Sequence, residues 1–339
     1  AMLRSAIDQG LSYVDTAYPY CDGQSEPLVG RILKDGYREK VILTTKLPVW
    51  LVKTHEDMMK FLDEQLKKLD TPYVDFYILH AMNNERMDAM QKLDYKRFYA
   101  DAIAQGKVRY PGFSFHDDAK AFLRILHDWD QWGMCQVQMN ILDDENQATL
   151  EGIREAGRRG VGVVVMEPLR GGLLANPPVD VKAVYDAYAV RRSPVEWGFR
   201  YLYAMPEVIT ILSGMSTWAQ VTDNLRIFDM AKRPTLTDEE LALYQKVKAT
   251  YLARTKTRCT GCKYCQPCPM GVQIPRIFQG YDAAMLRADS SFKAGYAQIQ
   301  ADHADASQCI HCRKCEHVCP QHLPITRFLE EIHAASAAE

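Results

Sequence analysis

Two periods of hydrophobicity alternate along most of this chain. Short runs rich in Val, Ile, Tyr and Phe occur at residues 11–17, 40–47, 74–80, 108–115, 135–140, 161–169 and 208–213. Runs of this length, several of them apolar at consecutive positions, suit strands buried on both faces. Between them apolar residues recur every three to four positions, the period of one helix face. At 54–69, Met59, Leu62, Leu66 and Leu69 form such a stripe, and Thr54 stands before a first turn carrying Glu56 and Asp57. The same pattern predicts helices at 1–9, 25–35, 92–105, 117–129, 147–159, 181–205 and 216–231, with 181–205 broken before Pro194.

Seven strands alternating with helices over about 250 residues predict an α/β fold, and the length suits a (β/α)8 TIM barrel. A doubly wound sheet is the alternative, but no G-x-G-x-x-G run opens a helix. The eighth strand of a barrel is expected upstream of Ala1, so the numbering is expected to begin inside the domain. A helix at 237–254 closes this first domain, residues 1–254. The second, residues 255–339, opens on Cys, Pro and Gly at 257–272 and continues in helical patterns at 274–288, 292–301 and 324–334.

Composition narrows the function classes. The 339 residues are 47% hydrophobic and 25% charged, which excludes global disorder. Lys and Arg number 41 against 43 Asp and Glu, leaving no basic field for nucleic acid and no polybasic membrane patch. The longest mostly apolar run, 160–169, is far short of the roughly 18 residues a membrane span needs. Ten cysteines are out of proportion, and eight of them lie between Cys259 and Cys319. With only Cys21 and Cys135 elsewhere, a secreted disulfide scaffold is disfavoured and a reducing cytoplasm is expected.

The eight form two clusters, Cys259-x-x-Cys262-x-x-Cys265-x-x-Cys268-Pro269 and Cys309-x-x-Cys312-x-x-Cys315-x-x-x-Cys319-Pro320. Three cysteines at successive three-residue spacing wrap a cuboidal iron–sulfur cluster, and a distant fourth followed by Pro completes it. Zinc sites usually pair two separated C-x-x-C steps around one ion. Two [4Fe–4S] clusters are therefore expected. By analogy with two-cluster ferredoxins, Cys259, Cys262, Cys265 and Cys319 would hold one, and Cys309, Cys312, Cys315 and Cys268 the other. His311 and His317 read as solvated residues between ligands, and Cys21 and Cys135 as ordinary thiols.

In barrels of this kind active sites sit at the C-terminal ends of strands. There the chain places Asp15-Thr-Ala-Tyr-Pro-Tyr20, then Lys46, then His80. An acid, a phenol, an amine and an imidazole at successive strand ends resemble the catalytic tetrad of aldo-keto reductases. The resemblance extends over residues 1–250, and the cysteine-rich tail is similar to a ferredoxin-like appendix carried by one branch of that family.

The resemblance implies an NAD(P)-dependent oxidoreductase acting on a small-molecule carbonyl or alcohol. Tyr20 would be the general acid, aided by Lys46, which Asp15 holds, while His80 orients the carbonyl. A phenol titrating near 10 needs such help at neutral pH. Tyr18 is the local rival of Tyr20. The resemblance also implies a dinucleotide across the barrel mouth. Ser114 and Gln136 would meet the carboxamide, Met166 the nicotinamide face, and Pro168, Leu169 and Gly171 the diphosphate. Gly214, Ser216, Gln220, Asp223 and Asn224 would meet the adenosine end, at a helix start. Gly214 and Gln220 stand where relatives preferring the 2′-phosphate carry Lys and Arg, so NADPH and NADH both stay open. Hydride moves two electrons and a cubane one, so the clusters are expected to relay electrons to a redox partner protein or a flavin. An electron carrier or redox sensor on a barrel scaffold is the competing reading, and clusters serving as structural staples a third.

Overall fold

The computed structural model describes residues 1–229, 232–259, 261, 263–319 and 321–337. Seven strands and ten helices make up the first part of the chain: α1 (Met2–Asp8), β1 (Tyr13–Asp15), α2 (Ser25–Ile32), β2 (Ile42–Leu47), α3 (His55–Leu69), β3 (Val74–Met82), α4 (Asn84–Lys92), α5 (Tyr95–Ala104), β4 (Val108–Phe115), α6 (Ala119–Asp128), β5 (Met134–Gln138), α7 (Thr149–Arg158), β6 (Gly162–Met166), α8 (Val179–Asp186), α9 (Pro194–Tyr203), β7 (Val208–Ile211) and α10 (Trp218–Phe228). The strands pair in sequence order, every pair parallel. That order gives a nearly closed TIM barrel and excludes the doubly wound sheet, whose strand order reverses at a switch point. A cavity of about 710 Å³ lies between the two end strands, bounded by Leu11, Tyr13 and Asp15 on one side and Ile209, Ile211 and Ser213 on the other.

Consecutive apolar runs are buried as the strand reading requires: Val163, Val164 and Val165 are all fully enclosed. Inside the barrel, Ile78, Met134 and Val164 from β3, β5 and β6 form one packed layer. Outside it, α3 begins at a capping box in which the Asp57 carboxylate accepts the Thr54 N–H at 2.9 Å. Its buried stripe is Met58, Leu62, Gln65, Leu66 and Leu69, so Met58 takes the place expected of Met59.

One helix was not expected. The 92–105 pattern corresponds to α5, while α4 precedes it at Asn84–Lys92, with Asp94 between them in the left-handed region at φ 54°. Asp94 caps α5 by accepting the Arg97 N–H at 3.4 Å. The 216–231 helix runs at Trp218–Phe228, and positions 230 and 231 lie outside the described residues.

By compactness the chain divides into one unit of Ala1–Gly171 with Val195–Leu236, and another of Gly172–Pro194 with Thr237–Glu339. The helix α11 (Asp238–Arg254) packs with α8 and with α12 (Ile274–Arg287), and Arg254 pairs with Asp180 at 2.8 Å, contacts that group these segments by compactness although the expected boundary lies after Arg254. The rest of this unit is α13 (Ser291–Ala301), the one-turn α14 (Lys314–His317) and α15 (Ile325–Ala337). Its core joins Ile277, Phe278, Tyr296, Leu329 and Ile332, with Cys259, Cys265, Cys268, Cys309, Cys315 and Cys319 packed against it. No helix among the described residues is long and apolar enough to cross a membrane.

Candidate active site

Asp15 ends β1, Lys46 lies in β2 and His80 in β3, so three adjacent strands bring three distant residues to one mouth. Lys46 is fully buried. Its Nζ donates to Asp15 Oδ1 at 2.6 Å and to the Thr16 carbonyl at 2.8 Å. The same nitrogen stands 4.8 Å from the centroid of the Tyr20 ring. Tyr20, 39% exposed on the loop after β1, meets His80 edge to face at 5.8 Å between centroids. Tyr18 turns elsewhere: its ring packs on Phe61 and receives Lys68 at 4.1 Å.

The electrostatics follow from enclosure. Burial pushes the Asp15 carboxyl above its ordinary value, against the opposing pull of the Lys46 ammonium. Burial, reinforced by the charges of Lys46, His116 and Arg86, pushes the His80 imidazole down to about 3. A neutral ring can accept or donate one hydrogen bond at each nitrogen, and its buried Nδ1 has no protein partner. Trp50 packs beside His80, with ring centroids 5.2 Å apart and the planes tilted by 53°. His80 is held by a strand irregularity: Ala81 takes φ 54°, its N–H donates to Ser114 Oγ at 2.7 Å, and the register with β4 shifts between Leu79 and Met82.

Ser114 and Gln136 are both buried. Gln136 places its Nε2 3.9 Å from the Met166 sulfur and leaves Oε1 without a partner. An orphaned buried amide oxygen is costly unless a donor fills it, and a carboxamide group would do so. After β6, Glu167, Arg170, Gly171 and Gly172 all have positive φ, on either side of a buried Pro168 and a half-buried Leu169. Gly214 and Asn224 line the cavity that Asp15 and Tyr20 also line. Asn224 donates to Ser213 Oγ at 2.9 Å.

Gln220, expected at the adenosine end, also has a local task. Its Oε1 accepts the backbone N–H groups of Ser216 and Thr217 at 2.8 and 3.1 Å, completing the capping box of α10. Thr217 and Gln220, three apart, carry that signature in the sequence. Asp223 is held by Arg226 at 2.9 Å.

In the tail, Cys268, Cys309, Cys312 and Cys315 line one cavity of about 320 Å³, and Cys259 and Cys319 line a smaller one; Cys265 reaches both. Cys262 lies outside the described residues. Among the described residues no three Cys, His, Asp or Glu side chains converge on a point where one ion would sit. Cysteines spread around a cavity fit a multi-iron cluster better than a lone zinc. Asp282 organises the approach to Cys259: its carboxylate accepts the N–H groups of Lys256, Thr257 and Arg258 at 2.7–3.2 Å and the Thr257 hydroxyl at 2.7 Å. Thr257 Oγ1 then accepts the Cys259 N–H at 3.2 Å. Cys135 is buried in β5, which pushes its thiol up to about 12, and Cys21 is exposed.

The Aldo/keto reductase family model matches residues 1–249. The chain belongs to the aldo/keto reductase family. A second model, the 4Fe-4S dicluster domain, matches residues 258–323, so this aldo-keto reductase carries a ferredoxin-like 4Fe-4S domain at its C-terminal end. It is 38% identical over 273 residues to methylglyoxal reductase YeaE of Escherichia coli K12, covering 73% of this chain and 83% of that protein. Among solved structures it is similar to the holo form of aldo-keto reductase AKR11C1 from Bacillus halodurans, with 27% identity, a TM-score of 0.61, and 73% of this chain and 85% of that one covered. It is also similar to an aldo/keto reductase from Klebsiella pneumoniae in complex with NADP and acetate, with 25% identity, a TM-score of 0.57, and 73% and 83% covered. This aldo-keto reductase is thus an oxidoreductase with an iron–sulfur domain.

Proposed function

We propose that the barrel transfers hydride between NAD(P)H and a small carbonyl compound, with Tyr20 as proton donor. One observation carries the reading: Lys46 is wholly buried, 2.6 Å from Asp15 and 4.8 Å from the Tyr20 ring centroid. A charge so enclosed and so placed favours the phenolate that remains once Tyr20 gives up its proton. Asp15 fixes the ammonium, and neutral His80 donates a hydrogen bond to the substrate oxygen. The bound dinucleotide supplies the hydride. Gln136, with its free Oε1, and Ser114 would hold the carboxamide, and the turn at Pro168, Leu169 and Gly171 the diphosphate. Gly214, Ser216 and Asn224 would line the adenosine end. Methylglyoxal, the substrate in the name of the E. coli relative, is the first carbonyl compound to assay.

In the tail, Cys259, Cys262, Cys265 and Cys319 would hold one [4Fe–4S] cluster and Cys268, Cys309, Cys312 and Cys315 a second. The reading is supported by the grouping of the seven of these thiols that lie among the described residues around two cavities. Two clusters in series suit single-electron exchange with a redox partner protein or a flavin.

Tyr20→Phe tests the barrel. Loss of a positioned proton donor typically costs about 10²- to 10⁴-fold, while the exposed ring keeps its packing. The variant should lose carbonyl reduction by that factor and keep its absorbance near 400 nm. Activity equal to the native protein would reject the assignment. For the tail, failure of NAD(P)H to bleach that band anaerobically, with substrate and flavin or ferredoxin present, would reject the relay.

A further inference from the structure

Beside His80 lies a cation that proton and hydride transfer do not use. Arg86 sits on the first turn of α4, where the Asn83 side chain accepts its backbone N–H at 2.8 Å. The Arg86 Nη1 donates to the Ala81 carbonyl at 2.5 Å. The guanidinium carbon stands 5.4 Å from the centroid of Trp50, the same ring that packs beside His80. Its charge is felt at both His80 and His116.

A guanidinium offers five N–H donors in a planar fork. One is spent on Ala81, and no carboxylate among the described residues pairs with the rest. Of the nearby acids, Asp88 pairs with Arg124, Asp117 accepts the N–H groups of Asn84 and Asp118, and Glu167 acts on His116 without pairing with Arg86. Stacking on Trp50 stabilises the cation without neutralising it.

We propose that Arg86 selects carbonyl substrates that carry a carboxylate or phosphate. The inference rests on the reading of the barrel as a carbonyl reductase. The carbonyl would lie between Tyr20 and His80, a short carbon chain would cross Trp50, and the anion would take the open side of the fork. Such bidentate pairing is what distinguishes arginine from a simple point charge.

The test compares native protein, Arg86→Met and Arg86→Lys on two substrate pairs, 4-oxobutanoate against pentanal and dihydroxyacetone phosphate against dihydroxyacetone. Arg86→Met should lower the anionic-to-neutral ratio of kcat/KM by about tenfold or more in at least one pair. Arg86→Lys should keep part of that preference. The pair that loses its ratio tells carboxylate from phosphate. An unchanged ratio overturns the proposal even if both members slow, because the guanidinium would then only brace the bend at Ala81. Calorimetric titration of both anionic compounds into native and Arg86→Met protein is independent of turnover. Weaker binding of at least one to the variant supports the proposal, and equal binding of both overturns it. If the native protein reduces none of the four carbonyls, the carbonyl-reductase reading fails, and the titration still decides the role of Arg86.

Discussion

Replacing Lys46 by Met separates the chemistry of the buried pair from its contribution to stability. Methionine fills a similar volume, so the change mainly removes a charge. At 2.6 Å and an effective dielectric near 20, the Lys46–Asp15 attraction is about 6 kcal/mol. Removing two ions from water costs several kcal/mol each, so the intact pair contributes little net. Breaking it does not: Asp15 would be left enclosed without a partner, at a cost of about 3–5 kcal/mol. Burial already raises the Asp15 carboxyl, and loss of the ammonium raises it further. A carboxyl raised in the folded state gives its full stability below the unfolded value, about 3.9, and loses it as pH rises through the folded value. Lys46→Met should therefore be less destabilised at pH 5.5 than at pH 8. Asp15→Asn with Lys46→Met should recover about 3 kcal/mol relative to the sum of the single variants. The assay is urea unfolding followed by tryptophan fluorescence at both pH values, with the 400 nm band as a separate report on the tail. Additive single effects with no pH dependence would refute the reasoning.

Three further outcomes follow from the geometry. His80, held near 3, stays neutral from pH 5 to 9. The pH profile of kcat/KM should show no ionisation near 6.5 that His80→Gln removes, and such a limb would contradict the neutral ring. Asp282→Asn keeps the shape of the side chain but weakens the bonds that order Lys256 to Cys259. Iron content should fall from about eight toward about four per chain if one cluster is lost, while barrel activity is retained; full iron content would show that the loop forms without it. Carbonyl reduction by Tyr20→Phe, measured with NADH and with NADPH, should be lost to the same degree with either, since the role proposed for the phenol is at the substrate oxygen and not at the ribose.

The repeating part of this fold was legible because burial on both faces forces apolar runs. Val163 to Val165 are an example, and so is β4, whose predicted and observed ends agree at Val108 and Phe115. The α4 helix was not, because only Met87 and Met90 are buried and the remaining positions, apart from Ala89, are polar. The candidate residues could be listed from strand ends, but the contacts among them join positions some 31 residues apart on neighbouring strands, which no local pattern records. Arg86 carried no signal at all, since its relevance comes from the left-handed turn at Ala81. Asp282 was equally silent: it acts on a loop 24 residues upstream. Gln220 carries two signals at once: the Thr217–Gln220 spacing announces a helix cap, and its place at the helix start suits a ligand contact.

The sequential strand order has a consequence for how the chain reaches its folded state. Each new strand joins the edge left by the previous one, so pairing can keep pace with synthesis and involves few distant partners. The other unit is built differently. Residues 172–194 leave the ribosome early, yet their partners in α11 are made only after the last strand and α10 are complete. That segment must wait, its apolar face uncovered, for chain synthesised some fifty residues later. The cysteines come later still. The iron–sulfur unit is therefore assembled after the seven strands, and a shortage of iron would leave a paired sheet attached to an unfinished partner.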